Sequence, residues 1–408
     1  MKVEGIIKYN GIKKRFSIGG IDLDIKQLLK RFTEIYGGDE KDVRKFFAPG
    51  RVNLIGEHTD YNKGFVFPCA LSFGTFAAAR KRKDNVIKFA STNFDLQVTV
   101  SSDDIYYAKE DDWANYPKGV IKEFKNMGFE IGGFEVLYDG NIPNGAGLSS
   151  SASIELATSV LLKGLFDCNI DMVDMVKLSQ KAENKFIGVN CGIMDQFSIG
   201  MGKKDNAILL NCKTLDYDYV PVVLDGYKIV IANTNKRRGL QDSKYNERRS
   251  QCEEAVSCLK KELDIEYLAD IDSKTFEDYK YLIDDEVVLK RATHVVYEIK
   301  RTLDAAEKLK CGDLEAFGKL MNESHESLKD LYEVTGIELD TLVDEAQKIK
   351  GVVGSRMTGA GFGGCSVSIV KEDAIDEFIK TVGENYNKKT GLCADFYIAE
   401  IGDGAKEI

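Results

Sequence analysis

The sequence is poor in the features that mark membrane proteins, nucleic-acid-binding proteins and zinc enzymes. None of its apolar runs approaches the roughly 18 residues that a membrane span needs. Only three histidines occur in 408 residues, and only His58 lies among other functional side chains, so a zinc centre is not expected. The 56 basic residues are outnumbered by 66 acidic ones and form no long run. Neither a membrane nor a nucleic acid is therefore an expected partner.

The nine cysteines show no pattern of a metal site or a redox motif, because no two are spaced as C-x-x-C. The first residues carry charges where a secretory leader would have an apolar core. The sequence therefore predicts reduced, mostly buried thiols, with Cys365 in the core, and a cytoplasmic location.

Length and element pattern together predict an α+β chain of two domains. The predicted boundary lies near Pro221 and separates a domain of residues 1–220 from a domain of residues 221–408. The stretches VIKFAS and LQVTVS indicate a β-hairpin, and 227–235 indicates a strand. Helical periodicity predicts further segments at about 150–166, 171–188, 242–263, 286–310, 312–333, 337–350 and 373–388.

A glycine-rich turn at 141–153 reads NIPNGAGLSSSAS and follows a predicted strand. Gly145 and Gly147 lack a Cβ, so the backbone can approach an anion closely, and the serines fall at a helix start where free N–H groups favour phosphate. The stretch is neither a Walker A sequence nor a good dinucleotide fingerprint. An ordinary helix cap is the alternative interpretation.

A second glycine cluster, TGAGFGGCSVSIV, spans 358–370 and precedes a predicted strand. Alone it is equally typical of a tight turn. Two glycine loops beside strands favour one ligand held between two halves of the chain.

The stretch at 50–62 reads GRVNLIGEHTDYN and brings Arg51, Glu57, His58 and Asp60 close together. From the residues alone, it could supply metal ligands, part of a hydrolytic triad, or a cradle for a molecule with many hydroxyls. A serine hydrolase finds no support, because the chain has no Gly-x-Ser-x-Gly elbow.

In this order, the three stretches resemble the three motifs of the GHMP small-molecule kinases, and GRVNLIGEHTDYN is similar to the galactokinase signature. The similarity extends through CGIMDQF and NTNKRRGLQDSKYNERRSQCEE, and covers about Ala48 to Val370. It implies a two-domain GHMP kinase fold with the active site in the interdomain cleft. It also implies transfer of the γ-phosphoryl group of ATP to the C1 hydroxyl of α-D-galactose.

The same resemblance assigns Asp195 and Arg51 to catalysis. Asp195 matches the position of the catalytic base, and the fixed charge of Arg51 would favour the ionised carboxylate and stabilise developing charge. Whether Asp195 abstracts the hydroxyl proton or mainly orients the hydroxyl stays open, because a loose transition state leaves proton transfer late.

The resemblance also implies the substrate, nucleotide and metal positions. The sugar positions are Glu57, His58, Thr59, Asp60 and Tyr245. The ATP positions are Gly145, Ala146, Gly147, Leu148, Ser149, Ser150, Ser151 and, on a weaker basis, Ser91. The Mg²⁺ positions are Ser151 and Glu183, which fits a cation that prefers few carboxylates.

Two alternative functions and two structural expectations remain. A related kinase for N-acetylgalactosamine, L-arabinose or a uronic acid would share these motifs. A catalytically silent galactose sensor is disfavoured, because the serine loop and Asp195 are intact. His294 and His325 lie in charged, helical stretches and are expected at the surface. We expect a monomer or a weak oligomer.

Overall fold

Two six-stranded sheets form most of the β framework in the computed structural model, which describes residues 7–9, 12–16, 21–142, 147–236 and 241–408. The first sheet consists, in spatial order, of β15 (Lys406–Glu407), β3 (Arg44–Asn53), β5 (Pro68–Lys81), β8 (Phe134–Gly140), β6 (Val86–Ser91) and β7 (Val98–Ser101). The second consists of β1 (Ile7–Tyr9), β2 (Ile12–Phe16), β14 (Asp395–Ala399), β11 (Tyr227–Asn233), β13 (Cys365–Lys371) and β12 (Val352–Thr358). A third, three-stranded sheet consists of β10 (Tyr217–Pro221), β9 (Asn206–Asn211) and β4 (Phe65–Val66).

Helices cover these sheets throughout the described ranges. They are α1 (Ile21–Tyr36), α2 (Asn115–Asn126), α3 (Ser150–Phe166), α4 (Met172–Ala182), α5 (Met194–Met201), α6 (Gln241–Leu259), α7 (Ser273–Tyr279), α8 (Glu286–Lys310), α9 (Leu314–Ser327), α10 (Gly336–Ala346) and α11 (Ile375–Thr390). The π-helical turns Glu183–Ile187 and Leu328–Tyr332 extend α4 and α9. Short 3-10 turns occupy Glu40–Asp42, Lys109–Ala114, Leu268–Asp270, Lys280–Leu282 and Glu372–Ala374.

The central strands β3 and β5 are buried on both faces, so their side chains divide between two cores. In β5, Ala77 and Ala79 face the core that contains α3, whereas Phe76 and Ala78 face the core that contains Leu28 of α1. Alternation of side chains along a strand produces this division. The pairing of β3 with β5 shifts register between Pro49 and Arg51, immediately before the residues that reach the candidate site.

Each end of the chain contributes a strand to the large sheet that is built mainly from the opposite half of the sequence. β2, near the start, lies parallel to β14 in the second sheet, and β15, near the end, pairs antiparallel with β3 in the first sheet. The α+β class is confirmed, whereas the boundary between residues 1–220 and 221–408 stays a prediction.

Most predicted elements are present with their bounds close to expectation. The helices at 150–166 and 286–310 have the predicted limits, and β6 and β7 form the predicted hairpin. Three helices, α2, α5 and α7, were not predicted from the sequence. None of the helices in the described part of the chain is both long and apolar enough to cross a membrane.

Candidate active site

A cavity of about 240 Å³ lies where three segments meet, which we call the sugar-signature stretch (50–62), the serine loop (141–153) and the second glycine loop (358–370). Its lining includes predicted residues from these three stretches, from the CGIMDQ segment, from the π-helical turn after α4 and from α6. They are Arg51, Glu57, His58, Asp60, Gly147, Ser149, Ser150, Ser151, Glu183, Asp195 and Tyr245, joined by Gly359, Ala360, Gly361, Gly363 and Gly364.

Asp195 lies in the first turn of α5 and is held from two sides. Arg51 on β3 donates from Nε to Asp195 Oδ1 at 2.9 Å, and its Nη2 lies 2.8 Å from the same oxygen. The Ser149 hydroxyl donates to Asp195 Oδ2 at 2.5 Å. The Asp195 side chain is 28% exposed while that of Arg51 is 5% exposed, so the carboxylate faces the cavity and the guanidinium lies behind it. Both predicted catalytic residues are therefore in direct contact.

The described part of the serine loop is shaped around Arg51. Gly147 has a φ of 71°, and its carbonyl accepts a hydrogen bond from Arg51 Nη1 at 2.7 Å. Ser149, which precedes α3, also has a positive φ of 62°, a conformation that is costly for a residue with a Cβ and is often found at functional sites. Leu148 places its side chain in the core rather than in the cavity. Gly145 and Ala146 lie outside the described residues.

The predicted metal positions also lie together. The Glu183 carboxyl accepts hydrogen bonds from the Ser151 side chain and from Gln196 Nε2, the latter at 2.6 Å. Burial, followed by the charge of Asp195, raises the pKa of Glu183 to about 7. A buried carboxyl beside a hydroxyl and a second carboxylate is a set of oxygen donors that suits Mg²⁺ and would gain from a cation.

Glu155 on α3 was missed by the sequence analysis. Its Oε2 accepts from Gln196 Nε2 at 3.1 Å, so one amide connects Glu155 with Glu183. Burial, then the charge of Glu183, raises the pKa of Glu155 well above its usual value. A glutamate within the apolar helix sequence SIELATSVLL was the available signal.

Glu57 is fixed from the second half of the chain. Its Oε1 accepts from Gly359 N at 2.8 Å and from Arg356 Nη1 at 3.1 Å, and the whole residue is buried. Glu298 of α8 holds the same stretch, because its Oε1 accepts from the backbone N–H of Gly56 at 3.0 Å. Arg356 and Glu298 were not predicted; an arginine just before the second glycine cluster was the only hint.

Asp60 lies beside the CGIMDQ segment. A Cβ on Gly192 would lie 1.8 Å from Asp60 Oδ2, so this approach requires glycine. Burial, followed by the charge of Asp195, raises the pKa of Asp60 to about 6. Thr59, by contrast, is fully buried and donates its hydroxyl to Phe65 O at 2.7 Å, which stabilises the loop; it is not among the cavity-lining residues.

His58 is enclosed by tyrosine rings. The ring centroids of Tyr245 and Tyr332 lie 5.8 Å and 4.8 Å from that of His58, and the Tyr61 hydroxyl lies 2.8 Å from its Nδ1. Burial, followed by the nearby His294, lowers the pKa of His58 to about 3, so the ring is neutral.

The burial of two histidines contradicts one expectation from the sequence, whereas the assignment of Ser91 to ATP stays a prediction. His294 and His325 are buried and not at the surface, so that expectation was wrong: His294 bonds Ser327 Oγ and Glu57 O, and His325 accepts from Met357 N. Ser91 lies at the end of β6, where its hydroxyl accepts from Asn93 N at 3.1 Å, and is not among the residues that line this cavity.

Three segments of the chain match known family models. Residues 30–81 match the galactokinase galactose-binding signature, residues 115–203 match the GHMP kinase N-terminal domain, and residues 299–388 match the GHMP kinase C-terminal domain.

Individual relatives match over nearly their whole length. The chain is 61% identical to a galactokinase of Fusobacterium nucleatum subsp. nucleatum over 94% of this chain and 100% of the relative. It is 56% identical to a galactokinase of Bacillus subtilis over 92% and 97% of the two chains. A crystal structure of Lactococcus lactis galactokinase complexed with galactose superposes with a TM-score of 0.92 at 48% identity, covering 94% of this chain and 100% of that one. A Methanococcus jannaschii mevalonate kinase, at 21% identity and a TM-score of 0.63 over 88% and 98%, shares the fold.

Proposed function

The chain belongs to the galactokinases of the GHMP kinase family, and we propose that the cavity around Asp195 transfers the γ-phosphoryl group of ATP to the C1 hydroxyl of α-D-galactose. The products are α-D-galactose 1-phosphate and ADP. The observation that carries this assignment is the Asp195 carboxylate, fixed between Arg51 and Ser149 at the wall of a cavity that the sugar-signature stretch also lines.

Asp195 is the group that faces the attacking hydroxyl. Its oxygens already accept from Arg51 and Ser149, and each keeps further lone pairs for the sugar hydroxyl. It orients that hydroxyl and accepts its proton as the bond from oxygen to phosphorus forms. Arg51 stays charged throughout, so it offsets the negative charge that accumulates at the wall during transfer.

The serine loop and the second glycine loop enclose the phosphates in this proposal. Gly147, Ser150 and Ser151 line the cavity at the start of α3, where backbone N–H groups have no partner within the helix. Ser151 and Glu183 would hold Mg²⁺, which would neutralise charge on the phosphates when bound. The chain itself contributes alignment of the two reacting oxygens, which phosphoryl transfer needs most.

The sugar is bound by side chains that the protein already holds in place without a ligand. Glu57 keeps Oε2 free of hydrogen bonds from the described residues, and Asp60 and Tyr245 line the same wall. Buried hydroxyl partners of this kind separate epimers, because one missing hydrogen bond costs roughly 1–3 kcal/mol. A cytoplasmic location and a monomeric or weakly associating state stay predictions.

The direct test is ATP-dependent phosphate transfer to galactose, with the phosphorylated carbon identified by NMR. We expect phosphate on C1 and a higher kcat/KM for galactose than for N-acetylgalactosamine, L-arabinose or a uronic acid. A higher value for another sugar would reassign the substrate within the family, and sugar binding without transfer would indicate a sensor.

The Asp195→Ala variant tests the assignment at the reacting oxygen. We expect kcat to fall by about 10²- to 10⁴-fold, the usual contribution of a general base, while galactose binding by calorimetry persists. Exposed Asp278→Ala is the matched control, with unchanged turnover expected. Near-normal turnover of Asp195→Ala would remove Asp195 from the catalytic role.

A further inference from the structure

A chain of hydrogen bonds leads from the cavity wall into the core, and phosphoryl transfer does not use it directly. The Tyr61 hydroxyl lies 2.8 Å from His58 Nδ1 and 2.7 Å from the Tyr332 hydroxyl, which lies 3.1 Å from Cys252 Sγ. We call these four residues the His58 chain. They come from three parts of the sequence: the sugar-signature stretch, α6 and the π-helical turn after α9.

The cavity end of the His58 chain, where His58 meets Ala360, fixes the direction of every proton in the chain. His58 Nε2 lies 3.2 Å from the carbonyl oxygen of Ala360, which can only accept, so the ring proton is on Nε2. Nδ1 must then accept from the Tyr61 hydroxyl. The Tyr61 oxygen in turn accepts from Tyr332, which accepts from the Cys252 thiol.

Burial keeps the His58 chain in this state. Tyr332 is 0% exposed and Cys252 is 1% exposed, so water does not compete for these bonds. The lowered pKa of His58 excludes the doubly protonated ring, which would need an acceptor at both nitrogens.

A second contact closes the His58 chain into a ring. The Cys252 thiol is hydrogen-bonded to the Asn62 side chain, and Asn62 Nδ2 donates to the carbonyl oxygen of His58 at 2.9 Å. Both the backbone and the imidazole of His58 are thus held from α6. The positive φ of 62° at His58 shows that this orientation is imposed on the residue.

Both ring nitrogens of His58 are therefore occupied by protein partners. A sugar hydroxyl could bond either nitrogen only by displacing Tyr61 or Ala360. The bond to Ala360 instead joins the sugar-signature stretch to the second glycine loop, whose Gly359 N–H also donates to Glu57.

We propose that the His58 chain is a positioning device that sets the His58 tautomer and thereby fixes the second glycine loop against the sugar-signature stretch. Tyr61 and Tyr332 are its positioning residues, and the His58 ring acts through Ala360 rather than as a ligand of the sugar. The effect on turnover rests on the proposed function, whereas the tautomer and bonding of His58 do not.

Removing single hydroxyl groups tests the positioning role. We expect kcat/KM for galactose to fall about tenfold in Tyr61→Phe and about threefold in Tyr332→Phe, mostly through KM, because misplaced binding loops weaken substrate contacts. Tyr138→Phe is the matched control: Tyr138 is as buried as Tyr332 and loses a 2.8 Å bond to Thr158, but does not line the cavity. It should lower thermal stability about as much as Tyr332→Phe while kcat/KM stays within about twofold.

A spectroscopic measurement separates the His58 chain from a merely structural role. The three histidines of the full chain give a simple ¹⁵N spectrum of histidine-labelled protein, and His58→Asn identifies the His58 signals. We expect His58 to be neutral with its proton on Nε2. The Nδ1 resonance should move toward that of an unbonded imine nitrogen in Tyr61→Phe, less far in Tyr332→Phe, and not at all in Tyr138→Phe.

Two results would overturn the inference. A proton on Nδ1, or an unmoved Nδ1 signal in Tyr61→Phe, would show that the chain of bonds is absent. A moved signal with kcat/KM unchanged in both tyrosine variants would show that the bonds exist but position nothing. If the unmodified protein does not phosphorylate galactose, the proposed function fails while the spectrum still tests the bonds.

Discussion

Asp60 carries an electrostatic cost that its position in the cavity explains. Its carboxyl is buried near the negative charge of Asp195, and the contribution of Arg51 compensates only in part, so the pKa rises from 3.8 to about 6. The folded chain therefore binds a proton at Asp60 more tightly than the unfolded chain does. The free energy of unfolding contributed by this group must fall as the pH rises from about 4 to about 6.

Asp60→Asn should consequently stabilise the protein while impairing sugar binding. The shift corresponds to about 3 kcal/mol at pH 7.5, and to about half of that at pH 5. Urea unfolding at the two pH values measures this gain, and galactose KM should rise, a trade-off expected of a strained site. Exposed Asp278→Asn changes the net charge equally and should show no gain. A loss of stability in Asp60→Asn at pH 7.5 would contradict this account.

At the scale of elements, the start of α5 depends on one missing side chain. Gly192 precedes α5 and lies against Asp60, while Asp195 lies in the first turn of the same helix. The close approach of Gly192 to the Asp60 carboxylate brings Asp60 and Asp195 to one wall of the cavity.

Gly192→Ala should displace Asp60 without unfolding the protein. The added methyl group would lie 1.8 Å from the end of a side chain that can rotate away, so we expect galactose KM to rise at least about tenfold and the melting temperature to change little. Gly132→Ala is the control, because its Cβ would meet its nearest neighbour at an ordinary 3.7 Å. An unchanged KM in Gly192→Ala would show that Asp60 does not read the sugar from its present position.

The sequence predicted elements better than contacts. α3 and α8 were predicted with their limits because capping residues and apolar periodicity are local signals. Arg51, Ser149 and Asp195 were placed in one site by resemblance, but nothing local shows that Ser149 bonds Asp195. Arg356 and Glu298 escaped detection because their partners are remote in sequence.

The buried histidines show the same limit. His294 and His325 occur among charged residues along their helices, so the local pattern indicated exposure. Each faces another element in the fold: His294 bonds the carbonyl of Glu57, and His325 bonds Met357 of β12. Hydrogen bonds to residues distant in sequence satisfy these two imidazoles in the interior, although the periodicity of their helices predicted that they would be exposed.

At the scale of the whole molecule, the last part of the chain connects the two large sheets, because β14 lies in the second sheet and β15 pairs with β3 in the first. β15 brings Lys406 opposite Phe47 of β3, and Ala405 N donates to Ile199 O at 2.8 Å. The ion pair between Arg44 and Glu407 is largely exposed and adds little, so the backbone pairing carries most of the contribution.

Deleting residues 403–408 should lower the free energy of unfolding by about 2–4 kcal/mol, since several backbone hydrogen bonds and the burial of Ala405 are lost. Glu407→Gln removes only the ion pair and should cost less than about 1 kcal/mol. Urea titration monitored by tryptophan fluorescence compares both variants. Equal losses in the two would mean that the ion pair, and not the strand, joins the sheets.

The dependence of Glu57 on Arg356 has a consequence for recombination between relatives. A chimera that takes 50–62 from one parent and 352–364 from another, where the parents differ at either position, leaves a buried carboxylate or a buried guanidinium without its partner. An unpaired charge at that depth is strongly destabilising, typically by 3–5 kcal/mol. Crossover points that keep both segments from one parent should therefore dominate among surviving hybrids, although the segments lie almost three hundred residues apart.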